Sequence, residues 1–579
     1  MPKTDANGYA EVEIVKTQDT VYLKEITAPN GYRRNTTAYN VKLIANEATT
    51  VMVPDVEQMA ELTVYKEGQV LAGADVTDQG VTFRYENKRL SNAVYNVYAG
   101  ENIYTGYGAL VYSKGDLVRE NLTTNGDGLV VLKNLHLGTY LVKEVQAPSN
   151  YVLNDTEKTV VLSYGGQEVE VVFGSATFVN DRQKASVSVV KQDKDTVNPL
   201  DDGVFGLYAG SDIMDVNGRI VVTKGTLIET VTTGKDGTAA FASDLPIGFS
   251  YNVKEIKAPY GYYRNTKDVY SFDFSYTNSK EAVVEFWHTF SNERVNARIQ
   301  LVKKDKETGA AQGDATLEGA VYGLYARKDI VHPDGATGIL YTAGEQIATL
   351  ITDKAGKASV ENLYLGDYYV KEITASEGYL VDETEYDLIC DYEGDLTATV
   401  ERSCTSLEQV KKQPFQLIKV SDNGDDTEAP LLKDAGFTAY LKSSLSVKKD
   451  GSYDFDSAVP VVIGKNGATE IFSDEIGHVV SIAIPYGTYV VVESTTPHNM
   501  ETIKPFEVKI TEHKPNTPQT WRVFIDREFT AKLRIVKKDG KTGQTVLVPN
   551  AEFKIYNLDN KEYVKQYTTY PSKEEHTSF

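Results

Sequence analysis

A chain of 579 residues carrying a net charge of -22 is too long for one hydrophobic core and too acidic to offer the basic face that nucleic acid or an anionic membrane surface requires. Tyrosine is abundant (38) while cysteine (2), tryptophan (2) and methionine (5) are scarce, a composition that suits strands with a polar outer face and excludes a disulfide scaffold. No run approaches the roughly 20 apolar residues of a membrane span and no charged-then-apolar signal opens the chain, so the expectation is either an internal protein or an internal piece of something exported.

In chain order, residues 1–58 contain a glycine turn (KTDANGYAEV), the stretch VYLKEITAPNGY from Val21 to Tyr32, and two alternating segments ending near VMVPDV. This is the back half of a unit that then recurs. Residues 59–183 run from the strand LTVYK (Leu62 to Lys66) through AVYNVYA, the turn TTNGDG and YLVKEVQAPSNY (Tyr140 to Tyr151) to TFVND. Residues 184–296 repeat the order with VSVVKQDKD, GVFGLYAG, TTGKDGTAAF, YNVKEIKAPYGY (Tyr251 to Tyr262) and FWHTFSNER. Residues 297–413 carry IQLVKKDKETG, AVYGLYAR and YYVKEITASEGY (Tyr368 to Tyr379); residues 414–530 carry FQLIKVSD, FTAYLKSS, the drifted YVVVESTTP and WRVFIDREF. The chain begins again at 531–579 with LRIVKKDGKTG and AEFKIY. Short strands bounded by Gly, Asn or Asp predict an all-β array, and the lack of Gly/Ser-rich or Pro-rich linkers predicts short, fairly stiff junctions. The front holds closing strands and the tail opening ones, together about one repeat long, so the chain reads as a segment cut from a longer array or as a unit whose ends complement one another between molecules.

Alternation puts charged residues where apolar ones belong. Leu62 and Val64 share a face with Lys66, Val187 and Val189 with Lys191, Ile299 and Leu301 with Lys303, Phe415 and Leu417 with Lys419, and Leu533 and Ile535 with Lys537. In the recurring motif, Glu255 shares a face with Tyr251 and Val253. At the closing strands Phe178 shares a face with Asn180, Phe290 with Asn292, Phe524 with Asp526 and Val53 with Asp55. Three polar groups aimed into one small core are tolerable only if they satisfy one another. Burial favours a neutral amine, which is a nucleophile, and a protonated glutamate, which can shuttle protons. The product is an amide between lysine and asparagine or aspartate, releasing ammonia or water.

These residues resemble the B-type repeats of Gram-positive collagen adhesins and pilins, the CnaB-type, prealbumin-like or SpaA-like domains. The shared pattern is an opening-strand Lys, L-G-x-Y leading into V-K-E-x-x-A-P-x-G-Y, and a closing Asn. The resemblance implies a tandem array of immunoglobulin-like β-sandwiches with spontaneous isopeptide bonds. It assigns Lys66, Glu144 and Asn180; Lys191, Glu255 and Asn292; Lys419, Glu493 and Asp526; and, across the broken repeat, Lys537, Glu25 and Asp55. Residues 297–413 depart from it: Lys303 and Glu372 are present, but VERSCTSLEQVKKQ offers no closing Asn or Asp. No bond is expected there, and Lys303 is expected either to pair with Glu372 or to reach the surface.

The implied role is the stalk of an extracellular, cell-wall-anchored surface protein, its partners being neighbouring repeats and, through a tip outside this chain, host extracellular matrix. Two alternatives are repeats that themselves bind a host matrix protein or glycan, and a pilin-like subunit polymerising head to tail through its half-repeats. Against sortase-built polymerisation, the chain shows neither an LPXTG-type signal nor a pilin-type lysine motif. An enzyme acting on external substrates, a cofactor, a metal, nucleic acid and a membrane are not expected. GKTG (Gly540 to Gly543) lacks the leading glycine of a phosphate loop and reads as a turn. The acidic runs from Asp193 and Ser421 lack the spacing of calcium loops and read as solvated loops. Cys390 and Cys404 are left open between a disulfide and free thiols.

Overall fold

The computed structural model describes residues 1–15, 19–422, 430–527, 533–549, 551–556 and 558. Two compact units are formed, Met1–Ala311 with Thr316–Gln409, and Gln312–Ala315 with Val410–Phe579. Apart from two single 3-10 turns, Lys442–Ser444 and Lys465–Gly467, the regular structure of the described residues is all strand. No helix among them is long and apolar enough to cross a membrane.

Four two-sheet sandwiches of one topology account for most of it. In the clearest, Leu227–Thr232, Val204–Ala209, Phe249–Lys257 and Val269–Phe274 form a four-stranded antiparallel sheet. Thr238–Phe241, Lys184–Asp193 and Val283–Asn292 form the facing sheet. The opening and closing strands of each sandwich are parallel neighbours. That arrangement needs a long crossover, and here the crossover is the rest of the domain. The glutamate motif lies in the opposite sheet, so alternation sends its inward residues across the core to the opening and closing strands. Four apolar clusters fill the sandwiches, one in each, built on Tyr140, Tyr251, Tyr368 and Tyr489, all at most 1% exposed.

Turn glycines fix the opening strands at a particular place. Gly237, Gly356 and Gly477 have φ of 72°, 72° and 65°, the left-handed region that glycine enters freely. Their carbonyls accept the backbone N–H of Lys191, Lys303 and Lys419 at 2.7, 2.7 and 2.8 Å. A Cβ on any of them would strike the carbonyl oxygen of that same lysine. Gly128, with φ 69°, receives the N–H of Lys66 in the same way at 2.9 Å.

The opening strand of the first complete sandwich differs from the five residues read from sequence. It runs over Met59–Thr77 and turns back through Gly80–Arg89 as a hairpin. Its far half pairs with Gly80–Arg89, and Leu71, Ala74, Val81 and Phe83 of this hairpin pack into the core of the next sandwich. Arg182 joins the same junction, its guanidinium 3.7 Å from the Tyr85 ring centroid and paired with Asp244. A second junction pairs Asn198 and Thr196 with Asp334 at 2.9 and 3.0 Å.

Cys390 and Cys404 are both free, in the core of one sandwich, where burial pushes each thiol up to about 11. Residues 540–543 form a turn closed by Gly543 N–H donating to Asp539 O, 3.0 Å. In the first acidic run Asp193 accepts from the N–H groups of Asp195 and Thr196, both 2.7 Å. Most of the second run lies outside the described residues.

Candidate functional site

In each complete sandwich the lysine that continues the apolar stripe is fully buried: Lys66, Lys191, Lys303 and Lys419 are all 0% exposed. The parallel register sets a constant relationship with the closing strand. Lys66 lies beside Phe178, Lys191 beside Phe290 and Lys419 beside Phe524. Two residues on, and therefore on the same face, come Asn180, Asn292 and Asp526, all buried. From the facing sheet Glu144, Glu255 and Glu493 reach the same point.

The three side chains are within hydrogen-bonding or ion-pairing distance of one another through the glutamate. Lys66 Nζ is 3.4 Å from Glu144 Oε1, and Asn180 Nδ2 donates to Glu144 Oε2 at 2.7 Å. Lys191 Nζ is 2.9 Å from Glu255 Oε1, while Asn292 Nδ2 donates to both oxygens of Glu255 at 2.9 and 3.0 Å. Lys419 Nζ is 3.0 Å from Glu493 Oε1 and in direct contact with Asp526 Oδ1. Lys66 and Lys191 have no hydrogen-bond acceptor in good geometry for Nζ. An ammonium left that way is costlier than a neutral amine or an amide nitrogen in the same place.

The electrostatics lean toward chemistry. Burial pulls Lys66 down to about 8 against the attraction of Glu144. It lowers Lys191 and Lys303 as well, against Glu255 and Glu372. Burial also raises Glu372 and Glu493 above the usual carboxylate range. These shifts move amines toward the nucleophilic form and carboxyls toward the proton-bearing one.

Backbone around the glutamates holds them in place. The N–H ten residues on, at Asn154, Asp382 and Ile503, donates to Glu144, Glu372 and Glu493 at 3.0, 2.7 and 3.0 Å. The tyrosine that ends the motif reaches back to the opening strand: Tyr262 OH donates to Asp193 Oδ2 at 2.7 Å, Tyr379 OH to Asp305 Oδ2 at 3.1 Å, and Tyr151 OH to Gln69 O at 2.8 Å.

The third sandwich has its expected buried pair, Lys303 Nζ to Glu372 Oε1 at 3.2 Å. It also contains a residue that the sequence reading passed over. Glu408, 1% exposed, makes direct contact with Lys303. Alternation along Thr399–Glu408 carries the signal, but a glutamate stands where the pattern has Asn or Asp, and Ser406 replaces the phenylalanine that marks the other closing strands.

The fourth assignment is only half assembled. Glu25 and Asp55 are neighbours, and burial followed by the repulsion of Glu25 pushes Asp55 up to about 6. Asn35 N–H donates to Glu25 Oε2 at 2.7 Å, the same contact made in the complete sandwiches. Lys537 is exposed, and so are Leu533 and Ile535 on its stripe. Leu23, 40% exposed, stands where Val142 is 0% exposed in a complete sandwich, so the core face of residues 1–58 is largely bare.

The family described as SpaA, prealbumin-like fold domain, matches residues 2–57, 84–177, 185–286 and 297–403, more than half of the chain. The chain belongs to the SpaA prealbumin-like family. No curated protein sequence matches this SpaA-type chain. Among solved structures it is similar to the Bacillus anthracis TIE protein, at 18% identity and a TM-score of 0.40, over 80% of this chain and 73% of that one. It is also similar to BcpA, the major pilin subunit of Bacillus cereus (14%, TM-score 0.24, 60% and 99% of the two chains). A third is GBS52, the minor pilin of Streptococcus agalactiae (17%, TM-score 0.19, 42% and 100%). The SpaA match ends before residue 414, yet the sandwich beyond it keeps the same sheet orders and register.

Proposed function

We propose that this chain is a structural stalk of a bacterial cell-surface adhesin or pilus-like protein, stiffened by isopeptide bonds that each domain forms once within itself. Complete repeats occupy 59–183, 184–296, 297–413 and 414–530, with half-repeats at 1–58 and 531–579. The observation that carries the reading is the convergence of Lys191, Glu255 and Asn292 inside a sealed core, repeated in register by Lys66, Glu144 and Asn180. Lysine attacks the asparagine carboxamide carbon; glutamate takes a proton from the amine and delivers one to the departing nitrogen, so that ammonia leaves. At Lys419 and Asp526 the same route releases water. The bond joins the first strand to the last, which is where a tandem array passes load from one domain to the next. Family membership and cell-surface pilins among the similar structures are consistent with a place on a Gram-positive cell wall. Intact-mass measurement tests the reading: the chain is expected lighter by one ammonia at each Lys–Asn pair, and an unshifted mass for residues 59–296 refutes both.

A second reading rests on Glu25 and Asp55, an acid pair with no lysine shown against it among the described residues. A lysine-bearing strand such as Leu533 to Lys537 of another copy completes the triad and links molecules end to end. Denaturant-resistant ladders on gel electrophoresis, lost in K537M and in D55A, are the expected result; a chain that stays monomeric at high concentration removes this reading and leaves the first.

A further inference from the structure

In the third sandwich a glutamate holds the position occupied by Asn180, Asn292 and Asp526 in the others. Glu408 pairs with Asp305 in the parallel register, as Asn292 pairs with Asp193, and so faces the same interior point. Its side chain is one methylene longer than that of Asn or Asp. Room and hydrogen bonding come from Ser406, which stands beside Lys303 where a phenylalanine stands beside Lys66, Lys191 and Lys419. Glu408 Oε1 accepts from the Tyr322 hydroxyl and, at 3.3 Å, from Ser406 Oγ. Oε2 is turned to Lys303 Nζ, which is also 3.2 Å from Glu372. Two carboxyls thus face one amine in a buried enclosure, with the Asp382 carboxyl also acting on it, more negative charge than a single ammonium neutralises, which favours a proton on one of the carboxyls. Burial raises the Glu372 carboxyl above its ordinary range, toward the proton-bearing form.

We infer that Lys303 and Glu408 condense into an isopeptide bond, with Glu372 as proton carrier and the Tyr322 and Ser406 hydroxyls polarising the attacked carbonyl. The inference rests on the triad chemistry proposed for the other repeats and extends it to a closing residue of a different type. A proton passes from the Lys303 ammonium to Glu408 Oε2, giving neutral amine and carboxylic acid. The nitrogen lone pair attacks Glu408 Cδ, and negative charge develops on Oε1 between the two hydroxyl donors. Glu372 delivers its proton to the departing Oε2, the Cδ–Oε2 bond breaks and water leaves, and the Glu372 carboxylate then takes a proton from the nitrogen and is restored. One amine and one carboxylic acid yield one secondary amide and one water, with no outside reactant.

Tryptic digestion of the full chain followed by mass spectrometry tests this. The expected product is a branched peptide joining the Lys303 and Glu408 segments, lighter by one water than the two linear peptides together. It is expected to vanish in K303M and E372Q, while the branched Lys191–Asn292 peptide persists in both and reports that the chain has folded. E408Q is expected to restore the identical branched peptide by losing ammonia instead of water. Linear Lys303 and Glu408 peptides beside a branched Lys191–Asn292 peptide overturn the inference and leave the proposed function intact. If neither is branched, both fall. A branched peptide that survives E372Q overturns the proton-carrier role.

Discussion

Asn292 gives its side-chain amide to both oxygens of Glu255, at 2.9 and 3.0 Å, and the same carboxylate stands 2.9 Å from Lys191. The glutamate therefore touches both the lysine nitrogen and the asparagine nitrogen, as the proton carrier of the proposed condensation must. E255Q keeps the shape and removes the carrier. After allowance for the Glu-to-Gln replacement itself, its mass is expected to exceed that of the parent by the uncondensed ammonia. E255A goes further and strands Lys191 in the core, with an expected loss of about 3–5 kcal/mol for a broken buried pair on top of the missing bond. Mass spectrometry and urea denaturation of the two variants separate these effects.

Blocking the bond exposes the titration of the lysine. In N180A, Lys66 stays an amine whose folded value lies near 8, below its ordinary 10.5, because burial opposes the charge. Below pH 8 both folded and unfolded chains carry the proton and the full penalty is present. Between about 8 and 10.5 the unfolded chain binds more protons, so stability rises with pH. The expected outcome is an N180A variant that closes part of its stability gap to the parent across that window, measured by denaturant midpoints at a series of pH values.

Asp55 predicts the opposite slope at the other end of the chain. Its folded value is raised to about 6 from 3.8 by burial and by Glu25. From pH 3.8 upward the unfolded chain loses its proton first, so the packing of residues 1–58 weakens as pH climbs to about 6. D55N is expected to flatten this dependence. Amide hydrogen exchange of Thr20–Lys24 and Ala38–Lys42 at pH 4.5 and 7 measures it, and equal protection at the two values in the parent chain counts against it.

Much of this was legible because alternation is local. The inward lysines at 66, 191, 303 and 419 and the inward glutamates at 144, 255, 372 and 493 follow from strand periodicity, and all eight are buried. The longer reach of Met59–Thr77 was not legible, since the apolar residues of its far half face a neighbouring sandwich rather than their own. Glu408 was not legible because the closing position is set by its register against Asp305 and not by residue type. Lys537 shows the reverse limit: its stripe with Leu533 and Ile535 is as regular as the others, yet all three are exposed, because periodicity states which residues share a face and not whether anything covers it.

Gly237 links the turn to the chemistry. It holds φ at 72° and takes the N–H of Lys191 at 2.7 Å, and a Cβ there would meet the carbonyl of that lysine. G237A costs about 1–3 kcal/mol for the left-handed conformation alone, and the clash displaces the opening strand at the reacting residue. Condensation depends on placement within a fraction of an ångström. The expected outcome is a folded chain that accumulates the uncondensed form of the 184–296 repeat, seen as a mixed intact mass, whereas G218A, at a turn with open space around it, stays fully condensed.

Load is where the bond has its largest consequence. Hydrogen bonds between Lys184–Asp193 and Val283–Asn292 run between parallel strands that are pulled in shear when the repeat is stretched from its ends. Once those bonds fail, the unbonded repeat pays out the chain between Lys191 and Asn292, roughly 100 residues, or about 340 Å at full extension. With Lys191 joined to Asn292 that length is locked, because force passes through the amide from one strand to the other. Single-molecule pulling on the full chain is expected to show no unfolding step of this length from the 184–296 repeat. K191M is expected to add one step of that size while the 59–183 repeat stays locked through Lys66 and Asn180. A parent chain that already yields such steps for both repeats would mean that the triads are packed but not bonded.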